Sequence, residues 1–286
     1  MMAALYALLC LIWGSTWLVI KISLAGVPPF LGAGLRFLLS ASVLFGLMAA
    51  RRTRLVFDRD DKIAILSCGL LSFTLSYGGV YWAEQYISSG LTAVLYCLMP
   101  LFVAVLSRFW TKAETLSRRK IVGIVVAIVG TVLLFRPAAA SSRAELAGMG
   151  VALASAAAAS ISLVLLKRHS LRTDIYTLNA CGMGIGACCL LAISGLSESY
   201  AALSWTPANV LAIVYLALAG SVTAFLVYTH LIKVMDATRL SLISLIIPIV
   251  AVALGAAFLG EKVSSGAAVG MIVVLAGVGT ALLRPD

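Results

Sequence analysis

Two histidines, six cysteines and eleven carboxylates are the groups in this 286-residue chain that could run a reaction or hold a metal, and their spacing assembles neither. The cysteines (Cys10, Cys68, Cys97, Cys181, Cys188, Cys189) all fall inside apolar stretches, where a thiol serves as a small hydrophobe. Cys188 and Cys189 are adjacent, with no second pair and no histidine close in sequence, so no metal-ligand spacing exists. No nucleophile stands with a base in an HxxH-like or Ser/His/Asp pattern, so enzymatic activity is not expected, nor is a cofactor. The glycine run Gly182, Gly184, Gly186 lies in an apolar stretch without a preceding strand and is no nucleotide loop.

What remains is a different chemistry, that of holding a small solute. Trp13, Ser15, Thr16, Trp17, Tyr77, Tyr81, Trp82 and Tyr96 crowd three apolar stretches of the first half. Trp13 and Trp17 are four apart, as are Tyr77 and Tyr81, so each pair shares a helix face. Such a ring offers a flat apolar body and one polar tip, which suits a passage for an amphipathic solute. The same residues also gather in the belt at a membrane surface, the reading that fits Trp82 and Trp110 near stretch ends. From the second half, Ser241 and Ser244 join the binding candidates, with Ser221, Thr223 and Tyr228 behind them. Arg36 sits inside an apolar stretch, where a charge costs at least about 2.5 kcal/mol unless it faces a cavity or a partner. Glu84 ends the third stretch and is the acid nearest the interior; Arg36 and Glu84 are the candidates for charge recognition or coupling. Pro100 and Pro248 interrupt apolar stretches at corresponding places, the signature of a break that gates or lines a mid-membrane site.

The elements that must position these residues are membrane spans. The chain is 62% hydrophobic and 11% charged, with a mean hydropathy of +1.10, far from soluble composition. A span needs about 20 apolar residues. Ten stretches qualify: Ala3–Ile20, Phe30–Ala50, Lys62–Ala83, Ser88–Phe109, Ser117–Phe135, Leu146–Leu166, Ile175–Ser194, Val210–Ile232, Leu240–Leu259 and Ala267–Leu283. The first, lacking a basic lead-in and a cleavage pattern, reads as a retained helix rather than a signal peptide. Sixteen Lys and Arg residues fall on one side of this alternation and four on the other, which places both termini in the cytoplasm. The formal charge of +10 is thus spread through loops, and a nucleic-acid partner is not expected.

The second half echoes the first. Tyr81 to Pro137 matches Tyr228 to Pro285, pairing Pro100 with Pro248, Glu114 with Glu261 and Gly123 with Gly270, while Lys21 matches Lys167. Each half, 1–138 and 144–286, therefore holds five spans, and an odd number inverts the second copy. Halves so related give inward-open and outward-open states of similar energy, as alternating access requires. A fold class of all-α integral membrane protein follows, ten helices in two inverted five-helix repeats.

These residues resemble the drug/metabolite transporter superfamily, in its ten-helix branch of EamA-type permeases. The resemblance rests on "WGSTWLVIK" in the first span, "GLRFLLSA" in the second, "YWAEQYISSGLTAVLYCLMPLFVAVLS" through the third and fourth, and Glu114 and Glu261 after the fourth and ninth. It implies a secondary transporter in the cell inner membrane. Among members, the chain looks most like amino-acid exporters, including the aromatic type; efflux of drugs or other metabolites with proton coupling is the alternative. Few buried acids are available to carry a proton, which favours a carrier driven by the solute's own gradient. The expected partners are a small-molecule substrate and the lipid bilayer; oligomeric state is not legible, and a monomer suffices.

Overall fold

The computed structural model describes residues 2–52, 57–110, 117–135, 142–169, 173–259 and 265–282. Glu114 and Glu261 lie outside these residues. All regular structure among them is helical: α1 (Met2–Ser23), α2 (Pro29–Ala50), α3 (Arg59–Ala83), α4 (Ser89–Tyr96), α5 (Met99–Trp110), α6 (Arg118–Phe135), α7 (Arg143–His169), α8 (Ile175–Ser197), α9 (Pro207–Val234), α10 (Ala237–Ser241), α11 (Ile243–Leu259) and α12 (Ser265–Leu282). Six of these, α1, α2, α3, α7, α8 and α9, are long and apolar enough to cross a membrane.

The ten apolar stretches are therefore not ten unbroken rods. The fourth is split at Cys97–Leu98 and the ninth at Leu242, each into a short and a longer helix. Pro100 is the second residue of α5, where its missing N–H removes no bond internal to that helix, so the break falls just before it. Pro248 lies inside α11 and the break comes upstream of it. Helix starts at three spans are fixed by side chains. Asp58 and Asp61 form a capping box at α3, Thr206 and Asn209 do so at α9, and Asp174 accepts from the Thr177 amide at α8. At α2, the Phe30 and Leu31 amides donate to Glu198 at 2.7 and 3.0 Å, joining the end of α8 to the start of α2.

Two spans loosen into π-helical turns, Ser67–Tyr77 in α3 and Leu218–Thr223 in α9. In the second, the Ala224 amide reaches back to Ala219 rather than to Gly220, and hydroxyls fill some of the spare bonding: Thr74 donates to Gly69 O and Ser221 to Leu216 O, at 2.8 and 2.9 Å. Hydrocarbon offers no water, so each released carbonyl must find a donor inside the protein.

The most extensive helix contacts join α6 to α12 and α2 to α8. Both pairs are antiparallel: Gly34 lies against Leu191 and Gly184 against Phe45. A Cβ on Gly123 would stand 2.6 Å from the Gly277 carbonyl oxygen, and one on Gly277 would stand 2.6 Å from that of Gly123; further along, Gly130 meets Gly270. Backbones this close leave no room for a side chain.

Lysines close two helix ends. Lys21, at the end of α1, donates to the Glu84 carbonyl just past α3 at 2.6 Å; Lys167, near the end of α7, donates to the Ile232 carbonyl near the end of α9 at 2.7 Å. Beside Lys167, His169 bonds Asp60 at 2.8 Å, Thr173 donates to Asp61 at 2.6 Å and Lys233 donates to the Thr173 carbonyl, tying α3, α7 and α9 together. Glu84 itself is fully buried, and neither carboxyl oxygen has a hydrogen-bond partner among the described residues. Burial pushes its acid up from about 4.5 to about 8, against the pull of the Lys21 ammonium.

Two outcomes follow for the purified protein. Gly123→Leu and Gly277→Leu should each destabilise it by roughly 1–3 kcal/mol through overpacking, whereas Gly279→Ala, whose Cβ meets nothing within 4 Å, should leave the melting temperature in detergent unchanged; equal effects would refute the close contact. For Glu84, the folded acid keeps its proton up to about 8 while the unfolded one loses it near about 4.3. Stability is thus full at low pH and falls as pH rises through that window. Glu84→Gln should flatten this fall and raise the melting temperature at pH 8.5 relative to the parent; a parallel pair of pH profiles would contradict the buried acid.

Candidate functional site

Between the helices lies a cavity of about 90 Å³, lined from both halves of the chain. From α1 come Trp13, Thr16 and Trp17; from the π turn of α3, Ser72, Ser76 and Tyr77; from the broken fourth span, Tyr96 and Met99. The second half supplies Ser162 and Leu163 from α7, Phe225 and Tyr228 from α9, and Ser241, Ile243 and Ser244 from the broken ninth span. The four-residue spacing of Trp13 and Trp17 is what turns both toward this space.

The wall is an aromatic box. Trp13 packs on Phe225 and Tyr228, with ring centroids 5.4 and 5.1 Å apart; Tyr77 lies 5.8 Å from Phe225, and Trp17 meets Tyr96 edge-on at 6.0 Å. These are edge-to-face and tilted arrangements that put hydrogen-bearing edges against electron-rich faces. The polar part of the wall is hydroxyl. Thr16 donates to the Trp13 carbonyl at 2.8 Å, Ser241 to Thr238 at 2.7 Å, Ser244 to Ser241 at 2.9 Å and Ser162 to Ser67 at 3.3 Å. With their protons given to carbonyls, these oxygens face the cavity as acceptors. Ser76 and Tyr96 share a bond of 2.9 Å. No charged side chain lines the cavity among the described residues.

Six of the seven residues expected to bind substrate thus meet at one place: Trp13, Trp17, Tyr77, Tyr96, Ser241 and Ser244. Tyr81 does not join them. The turn between it and Tyr77, Gly78–Ala83, is regular α-helix, so the two share a face, but Tyr81 lies one turn further along, past the cavity, with its ring fully buried near Gly32. Neither Pro100 nor Pro248 is on the wall, though their neighbours Met99 and Ile247 are. Phe225, Ser72 and Ser162 were not singled out from sequence; one phenylalanine and two serines in apolar stretches carry no signal until the helices are packed.

Arg36 is fully buried one ring behind the wall. Its Nε donates to Ser221 Oγ at 2.8 Å and its Nη2 to the Gly220 carbonyl at 3.1 Å, while its Cζ lies 4.9 Å from the Tyr77 ring centroid and 5.2 Å from that of Phe37. The Gly220 oxygen also accepts from Trp13 Nε1 at 3.3 Å. It is free to do so because the π turn directs the Ala224 amide elsewhere. Glu84 makes no ion pair with Arg36 and stands apart from the cavity wall. Among the described residues no group of three or more metal-ligating side chains comes together.

This arrangement can enclose a small solute with a flat apolar body and hydrogen-bonding groups, and known proteins point the same way. A family model described as the EamA-like transporter family matches residues 1–136 and again 146–283. An uncharacterized inner membrane transporter of Escherichia coli (strain K12), YedA, is 32% identical over 91% of this chain and 83% of its own. The uncharacterized transporter YoaV of Bacillus subtilis (strain 168) is 27% identical over 94% and 92%, and a probable amino-acid metabolite efflux pump of Salmonella typhimurium (strain LT2) is 27% identical over 95% and 91%. A solved crystal structure has the same fold, with a TM-score of 0.81 over 98% of this chain and 96% of that one at 20% identity. The two matched segments together span nearly the whole chain, and the protein belongs to the EamA-like transporter family, a multi-pass membrane transporter and not an enzyme.

Proposed function

We propose that this chain is a secondary transporter that exports amino acids or related small amphipathic metabolites across the bacterial inner membrane, by alternating access at the aromatic cavity. The observation that carries the reading is where the cavity lies: Trp13, Trp17, Tyr77 and Tyr96 of the first half face Tyr228, Ser241 and Ser244 of the second. A site shared between two halves is one that rocking of either half exposes to opposite faces. Aromatic faces suit an apolar side chain or ring, and hydroxyl oxygens without protons to give suit an ammonium group. The amino-acid metabolite named for the Salmonella relative agrees in class.

The halves are read as inverted repeats, 1–138 and 144–286. Counting α4 with α5 and α10 with α11 gives ten crossings, with both termini cytoplasmic. Three features support this reading. The matched family segments divide the chain in the same way. The second span packs antiparallel on the seventh and the fifth on the tenth, as counterparts around an axis in the membrane plane must. Lys21 and Lys167, matched in sequence, each close the end of the helix two spans on. Glu84, a buried acid, favours proton-coupled efflux of a drug or other metabolite as the second reading; the absence of any acid from the described cavity wall favours a carrier driven by the solute's gradient.

Proteoliposomes of the purified protein should exchange labelled amino acids faster than empty vesicles, and Trp17→Ala should slow exchange about tenfold, the loss expected for removing a packed ring worth more than 1 kcal/mol. Silence across a broad amino-acid panel would defeat the substrate class. An imposed pH gradient that drives uptake, abolished by Glu84→Gln, would replace the first reading by the second. For topology, cysteines placed at residues 21 and 167 in a background without the native six should differ: a membrane-impermeant maleimide added outside should modify the first alone.

A further inference from the structure

Arg36 poses a problem that the fold leaves unsolved. A guanidinium is charged at every accessible pH and carries five N–H donors in a rigid fork. Here it is sealed from water eight residues into α2, among neutral groups: the Ser221 hydroxyl, the Gly220 carbonyl, the faces of Phe37 and Tyr77 and, close by, the Tyr77 and Tyr81 phenol oxygens. Its Nη1 has no hydrogen-bond partner, and no carboxylate lies within 4.0 Å of it among the described residues. A cation held this way in a low-dielectric interior lacks the counter-charge that would offset its desolvation.

The cavity has the complementary deficiency. Its wall holds no charged side chain among the described residues, and Thr16, Ser162, Ser241 and Ser244 have already donated their hydroxyl protons to carbonyls. A carboxylate there would meet only neutral donors, such as the Ser72 and Tyr228 hydroxyls and the Trp17 indole N–H, and no positive charge among the described residues. One ring separates the two: Tyr77 lines the cavity on one side and stacks on the guanidinium on the other. Trp13 and Arg36 also share the Gly220 oxygen. At about 90 Å³ the cavity is well below the roughly 300 Å³ or more of a loaded small-molecule site, so rings must move when solute enters.

We propose that Arg36 binds the carboxylate of the transported solute, uncovered when the Tyr77 ring swings aside on loading. The solute class is then a carboxylate on an apolar or aromatic body, its ring in the aromatic box and any ammonium on the hydroxyl oxygens and ring faces. The inference rests on the cavity being the transport site and adds the head group that the site selects.

The test compares L-phenylalanine with L-phenylalaninamide, which keeps ring and amine and loses the carboxylate, and indole-3-acetate with indole-3-acetamide. Binding is read as thermal stabilisation in detergent and, separately, as competition for counterflow in proteoliposomes. The parent should prefer each acid over its amide by roughly tenfold or more, the worth of one charge-assisted hydrogen bond. Arg36→Gln should lose the preference while still binding amides, and Arg36→Lys should recover part of it. A folded Arg36→Gln protein with the preference intact overturns the proposal. Where that variant fails to fold, the parent decides: equal binding of acid and amide overturns it, and acid-selective binding that Tyr77→Ala strengthens sustains it. Acid-selective binding without any flux would sink the transport reading and reduce this one to a carboxylate-binding site at Arg36; flux indifferent to the head group would overturn this one and leave the transport reading standing.

Discussion

The carbonyl oxygen of Gly220 is the point on which the centre of this molecule turns. In an α-helix it would bond the Ala224 amide; the π turn in α9 sends that amide to Ala219, and in hydrocarbon the released oxygen has no water to take. Trp13 from α1 and Arg36 from α2 fill it together. One backbone oxygen thereby fixes the rotation of two helices against a third, sets the ring that forms the cavity's floor and holds a guanidinium just behind it. The other π turn, in α3, brings Ser72, Ser76 and Tyr77 to the same cavity, with Tyr77 5.8 Å from Phe225. Irregular backbone is tolerated inside a membrane protein where it lines a cavity or is buried in protein, and both stretches satisfy that condition.

Much of this was legible in advance and some was not, for reasons that differ by residue. Apolar length announces the six membrane-crossing helices because the bilayer imposes it. The i, i+4 spacing of Trp13 and Trp17 places both rings on the cavity because α1 is a regular helix where they occur. Tyr77 and Tyr81 also share a face, through the regular turn Gly78–Ala83, yet that turn carries Tyr81 past the cavity, and spacing alone does not say how far along a helix a cavity extends. Pro100 and Pro248 pointed to breaks in the right spans and not to the right residues. Proline forbids its own N–H bond, yet the helices are interrupted at Cys97–Leu98 and Leu242, where Cys97 and Leu242 are buried in one core cluster and the Cys97 thiol donates to the Ser244 carbonyl.

Hydroxyl residues show how a list of polar candidates acquires direction only when their bonds are known. Thr16, Ser241 and Ser244 all send their protons back to carbonyls three residues earlier, Ser244 across the break at Leu242. From sequence each is equally a donor or an acceptor; in the bundle each is an acceptor toward the cavity. These three oxygens welcome N–H groups, and because the described wall offers an anion neutral donors alone, the unpartnered Nη1 of Arg36 behind it gains its significance.

If Arg36 recognises the solute as proposed, the empty transporter has an energetic asymmetry built into it. With the cavity empty, Arg36 rests on aromatic faces and neutral oxygens, and its uncompensated charge raises the energy of that state. A bound carboxylate lowers it, while the ring displacement that admits the solute is offset by burial of the solute's apolar body. If rocking between the two faces requires the central helices to pack tightly, the loaded protein reorganises around a paired charge and the empty one around a lone charge. The loaded transition is then the easier of the two, so exchange of solute for solute runs faster than net export. Such a bias needs no titratable group on the wall and follows from where one guanidinium is placed.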